Sequence, residues 1–164
     1  MSAGSGLRPG VRLAFDVGKV RVGVARCDAE AILAVPVRTI KRDRYGADVD
    51  EAADLVEEYR AIEVVVGLPT NLQGKSTGST KDARGWAQAL ADTVAPVTVR
   101  LVDERLSTVS AHQALHGAGL DERSFRSVVD QAAAVVILNQ ALDAERASGS
   151  PAGRTVHPRT RGKA

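Results

Sequence analysis

The stretch Leu13-Ala14-Phe15-Asp16-Val17-Gly18-Lys19-Val20-Arg21-Val22-Gly23-Val24-Ala25 decides how the rest of the chain is read. Two apolar, β-branched runs flank a Gly18-Lys19-Val20 turn, which is the pattern of an antiparallel hairpin. Its strands are predicted over Val11 to Val17 and Arg21 to Cys27. Asp16 interrupts the end of the first strand. An ionised carboxylate in apolar surroundings is costly unless it is paired or binds a cation. The other reading of Asp16 is a turn-initiating residue ahead of Gly18.

Working outward, a third strand is predicted over Leu33 to Ile40, with Pro36 pushing it to a sheet edge. Helical spacing of Val49, Ala52, Ala53, Val56 and Tyr59 predicts a helix from about Ala47 to Arg60. Ile62-Glu63-Val64-Val65-Val66 reads as a buried strand ended by Gly67-Leu68-Pro69, and 70–80 as a flexible loop. A helix over about Lys81 to Val94 should bury Trp86 and Leu90, before a fifth strand at Val97 to Val102. A Ser107- or Thr108-capped helix to His116 follows, then a loop or short turn over Gly117 to Ser127 and a long helix from about Val128 to Arg146. The expected fold is therefore α/β: a mixed five-stranded sheet, three antiparallel strands then two parallel ones, flanked by helices. Residues 1–10 are expected to be disordered, 11–146 to form one domain, and 147–164 to be a basic flexible tail.

Charge narrows the function classes. Net charge is +2, but from Arg146 onward five basic residues meet no acidic one, leaving 17 basic against 20 acidic residues in 1–145. The body is thus not a generally basic nucleic-acid binder. Contact with phosphates must rest on local clusters such as Arg38-Thr39-Ile40-Lys41-Arg42-Asp43-Arg44, or on the tail. No apolar run approaches the ~20 residues of a membrane helix, the amino terminus has no secretory pattern, and the single Cys27 cannot form an internal disulfide. A cytoplasmic protein with no membrane partner is expected.

Two further acidic positions resemble Asp16 in being hard to explain structurally. Glu104 lies beside Asp103 just after the fifth strand, and Asp130 sits inside Val128-Val129-Asp130-Gln131-Ala132-Ala133-Ala134-Val135-Val136-Ile137-Leu138. Strand, strand end and helix could thus supply one acidic pocket for hard cations, the arrangement of nucleases that use paired Mg²⁺ or Mn²⁺ ions. The alternatives are a salt bridge from Asp103 or Glu104 to Arg100 or Arg105, and for Asp130 a charge in a first helical turn.

The chain resembles the YqgF (RuvX-like) family of bacterial RNase H-fold proteins, described as pre-16S rRNA nucleases or Holliday junction resolvases. Four blocks carry the resemblance: Ala14 to Ala25; Val65-Val66-Gly67-Leu68-Pro69 with Asn71 and Gly74; Val102 to Thr108; and Val129 to Ala134 with Ile137-Leu138. Val20 stands where the family pattern usually has Lys, and Asn139 where Gln is more usual. The resemblance implies an RNase H-like fold and a metal-dependent endonuclease, with Asp16, Glu104 and Asp130 catalytic and Asp103 an accessory metal ligand. Lys19, Arg21, Lys75 and Arg105 would contact substrate phosphates. Implied partners are structured RNA, junction DNA or ribosomal precursor particles; a homodimer would suit junctions. A noncatalytic RNA-binding ribosome factor is the other outcome for such a fold.

Three motifs are set aside. Gly74-Lys75-Ser76-Thr77 ends like a P-loop, but Pro69 occupies the first Gly position. His112 and His116 have metal spacing without a third ligand nearby. Asp16-Val17-Gly18 also resembles the phosphate turn of actin-like ATPases, which generally need two such domains.

Overall fold

The computed structural model describes residues 7–69, 78–103 and 122–159. The predicted helix at 107–116, with His112 and His116, and Lys75, Glu104 and Arg105 lie outside the described residues.

The hairpin forms as the sequence predicts: β1 (Arg12–Val17) and β2 (Arg21–Cys27) pair antiparallel, with Asp16 opposite Gly23. β3 (Ala34–Lys41) adds antiparallel to β2 and forms one edge of the sheet. Pro36 lies in β3 where the register shifts at Val24/Ala25, which an edge strand tolerates because Pro has no N–H to donate. After α1 (Ala47–Glu58), β4 (Glu63–Leu68) crosses over to run parallel to β1. After α2 (Gly78–Val94), β5 (Thr98–Asp103) runs parallel to β4. The last helix, α3, spans Glu122–Ser148.

A sixth strand corrects the expected five. β6 (Arg154–Val156) pairs antiparallel with β5, giving the order β3-β2-β1-β4-β5-β6. The segment after Arg146 was expected as a mobile tail from its Gly, Ser and Pro content, yet through residue 159 it is docked. Arg100 donates to the carbonyls of Ala152 and Gly153 and to Thr155 Oγ1. Asp92 of α2 accepts from the Arg159 backbone N–H at 2.7 Å and from its guanidinium. Those bonds hold the Asp92 carboxyl down at about 2. At the other end, residues 7–10 are also ordered: Arg8 pairs with Glu63 at 3.0 Å and with Glu145 at 2.9 Å. Both terminal segments are short of apolar residues, yet Val156 is buried in the core and Leu7 and Ala152 pack against the core, and polar bonds to the body complete their docking.

Strand alternation divides the core between two faces. Leu13, Phe15, Val17, Val64, Val66, Val99 and Leu101 face α1 and α2, where Leu55, Leu90 and Trp86 are buried. Ala14, Ala25, Cys27 and Val65 face α3 through Ala134, Ile137, Leu138, Ala141 and Leu142. The α3 face is lined by small side chains, so this helix packs close to the sheet.

Candidate active site

The site is set by one register pair and one helix. Asp16 shares the α3 face with Ala14, two residues before it, and is half-buried. Its cross-strand neighbour Gly23 touches the α3 backbone: a Cβ at residue 23 would collide with the Asp130 carbonyl group. Glycine is required there because helix backbone occupies the space of a side chain. Asp130 is thereby brought down beside the end of β1. An isolated Gly in an apolar strand is the sequence signal for such a close backbone approach.

α3 begins at Glu122, earlier than the predicted 128, so residues 122–127, expected in a loop or short turn, are helical. Asp130 therefore lies two turns into the helix, beyond the reach of the dipole of the first turn. Its surroundings decide its state instead. Arg21 Nε donates to Asp130 Oδ2 at 2.7 Å, with the two side chains 34% and 22% exposed. Arg21 belongs to the same face as Gly23, two residues away. Next to Asp130, Gln131 Nε2 donates to Thr39 Oγ1 at 3.0 Å and ties the helix to β3.

The other expected residues are placed differently. Lys19 is exposed in the β1–β2 turn, where its charge helps hold the Asp82 carboxyl below its ordinary value after the larger effect of the Arg42 hydrogen bond. Asp103 ends β5 opposite Leu68 and is exposed. By alternation it falls with Leu101, and it borders a cleft of about 460 Å³ walled by Arg84 of α2, Gln140 and Ala144 of α3, and Arg154. Among the described residues, which do not include Glu104, no three His, Cys, Asp or Glu side chains form a cluster able to hold a metal. Glu104, the residue that follows β5, is outside the described residues, as are Lys75 and Arg105.

The donor set fits a hard divalent cation: Asp16 and Asp130 offer carboxylate oxygens, without the Cys or His that would favour softer metals. No described helix is long and apolar enough to cross a membrane.

A mixed sheet with an antiparallel meander, two parallel crossover strands and a helix that seats a carboxylate on β2, next to the central strand, defines the RNase H-like class. Solved structures agree on the fold. Thermus thermophilus RuvC superposes with a TM-score of 0.54 at 17% identity, covering 87% of this chain and 99% of that one. The same enzyme in complex with a Holliday junction substrate gives 0.53 at 17% identity with the same coverage. The chain belongs to the RuvX family, described as Holliday junction resolvase, whose pattern matches residues 10–144. A Kineococcus radiotolerans protein is 52% identical over 159 residues, covering 96% of this chain and 85% of that protein. One from Clavibacter sepedonicus is 52% identical over 156 residues, covering 94% and 96%. One from Streptomyces avermitilis is 51% identical over 155 residues, covering 92% and 97%. Each of the three carries the name "Putative pre-16S rRNA nuclease".

Proposed function

We propose that this protein is a cytoplasmic endonuclease that hydrolyses phosphodiester bonds in the maturation of the 5′ end of 16S rRNA, with Asp16, Glu104 and Asp130 as its catalytic carboxylates. The observation that carries the reading is the seating of Asp130 on Gly23, beside Asp16. It is supported by the names of relatives matching along nearly the full chain. Glu104 is assigned by its position directly after β5 and by its family motif. The three would hold Mg²⁺ or Mn²⁺, which when bound supplies activation of the attacking water and stabilisation of the leaving oxygen.

The chain's own residues account for the rest. Asp16 is carried on a central strand, so its carboxylate is fixed by the hydrogen bonds of β2 and β4 on either side. Arg21 orients the Asp130 carboxylate and offsets its charge, which lowers the repulsion between grouped carboxylates. That makes Arg21 a positioning residue, in place of the direct phosphate contact expected from sequence. Lys19, Lys75 and Arg105 remain as contacts to substrate phosphates. The RuvX family description favours a second reading, resolution of four-way DNA junctions, for which two sites on a homodimer would be needed.

The deciding experiment compares a 16S precursor with a four-way DNA junction, with Mg²⁺ or Mn²⁺, using wild type and Asp16→Asn. Cleavage of the precursor, reduced at least ~100-fold in the variant with its circular dichroism unchanged, is the expected result. Junction cleavage alone selects the second reading. A wild-type protein that cuts neither leaves a noncatalytic RNA-binding factor in ribosome assembly.

A further inference from the structure

Beside the carboxylates, at the same end of the sheet, the β1–β2 turn and the segment after β3 are bolted into one ledge. The Arg42 backbone N–H donates to the Val20 carbonyl at 2.9 Å, and its side chain donates to the Gly18 carbonyl at 2.7 Å. The same guanidinium reaches Asp48 of α1 at 3.0 Å and Asp82 of α2 at 2.8 Å. Arg42 is therefore spent on structure, and Arg38 is paired with Glu51 at 3.2 Å. The basic cluster of 38–44 is reduced to the residues that this network leaves at the surface. Lys19, Lys41 and Arg44 are all exposed and, among the described residues, make no ion pair.

Tyr45 completes the ledge. It is 86% exposed, whereas Phe15 and Trp86 are buried. Its backbone is rigidly held: Asp43 Oδ2 accepts from the N–H groups of Tyr45 and Ala47, each at 2.9 Å, and Gly46 takes the positive φ of 92° that turns the chain into α1. The Arg44 guanidinium stands 5.9 Å from the ring centroid. An exposed aromatic ring beside cations, on a backbone fixed by side-chain bonds, is the make-up of a base-stacking platform. Lys41 pairs with Arg21 in the register, and β3 lies two strand spacings, about 10 Å, from Asp16 on β1.

We infer that this ledge holds an unpaired stretch of nucleic acid running from the Asp16–Asp130 site, with one base stacked on Tyr45 and phosphates against Lys19, Lys41 and Arg44. The inference rests on the nuclease reading and adds a single-stranded element to its substrate. With two Phe, two Tyr and one Trp the chain has little material for base stacking, a composition that favours shape and phosphate recognition; Tyr45 is the exposed ring that departs from it.

The test is binding, measured without divalent cation so that cleavage does not intervene. Probes are a short single-stranded RNA carrying 2-aminopurine and a blunt RNA duplex of the same length. Tyr45→Ala is expected to weaken single-strand binding about tenfold and abolish 2-aminopurine quenching, with duplex affinity unchanged. Tyr45→Phe restores both. Lys41→Ala should lower the slope of log K against log salt by about 0.7 on the single strand. Equal single-strand affinity of wild type and Tyr45→Ala, or equal losses on both probes, overturns the stacking site. If that happens while the wild type still cleaves precursor, only the ledge falls; a wild type that with Mg²⁺ cleaves neither precursor nor junction removes the nuclease reading as well.

Discussion

Arg21 shows how a single contact changes a residue's role. From sequence it is one of several cations near a strand that could meet a phosphate; in the fold its Nε is committed to Asp130 at 2.7 Å. A partner that orients a metal-binding carboxylate acts through that carboxylate, and its removal typically costs 10- to 100-fold in metal affinity or activity. Arg21→Ala is therefore expected to lower kcat by about that factor and to raise the Mg²⁺ concentration needed for half-maximal rate. A direct phosphate contact would instead raise KM for nucleic acid and leave the metal requirement alone. Metal titrations at saturating substrate separate the two outcomes.

At the scale of elements, the contact between α3 and β2 is the feature that assembles the site, and Gly23 is its seat. A methyl group at residue 23 would meet the Asp130 backbone, which cannot move aside as a flexible side chain could. Gly23→Ala is expected to destabilise the protein by about 1–3 kcal/mol through overpacking and to displace Asp130. Gly85 in α2 makes the contrast, because a Cβ there meets nothing within 4 Å. Gly85→Ala should stabilise by about 0.5–1 kcal/mol, the helix-propensity difference alone. Thermal melts of the two variants should move in opposite directions, and a destabilised Gly85→Ala would contradict the packing described here.

For the molecule as a whole, carboxylates tie both terminal segments to the body. Glu145 of α3 pairs with Arg12 at 3.1 Å, and the two side chains are 4% and 1% exposed. Arg12 Nε already lacks a hydrogen bond, the one buried side-chain N or O atom so placed among the described residues. Glu145→Ala would leave a buried guanidinium without its partner, at a cost of about 3–5 kcal/mol, or a Tm lower by about 10 °C. Hydrogen bonds from Arg8 hold the Glu145 carboxyl below its ordinary value, and Arg159 does the same for Asp92. A folded-state pKa below the unfolded one stabilises above the unfolded value and is lost as pH falls through the folded one. Acidification should therefore release the β6 segment between pH 3.8 and about 2, as Asp92 protonates. Amide exchange at Thr155 and Val156 followed against pH, with Asp92→Asn losing the pH dependence, checks it.

What the amino-acid order determined by itself is the local alternation of this chain. Apolar periodicity marks β1, β2, α1, α2 and β5 to within a few residues, and the position of Asp16 in its strand follows from the same pattern. Carboxylates in apolar stretches also marked Asp16 and Asp130 as candidates, because an apolar run predicts a buried element in which a charge needs a partner. Tertiary structure decided the rest. β6 has three residues and too weak a pattern to read; it is held by pairing with β5, by burial of Val156, and by Arg100 and Asp92 on either side. The Arg21–Asp130 pair follows from strand parity and from the docking of α3 on Gly23, which set which side chains share a face. Those are relations between segments distant in sequence, and no local pattern encodes them.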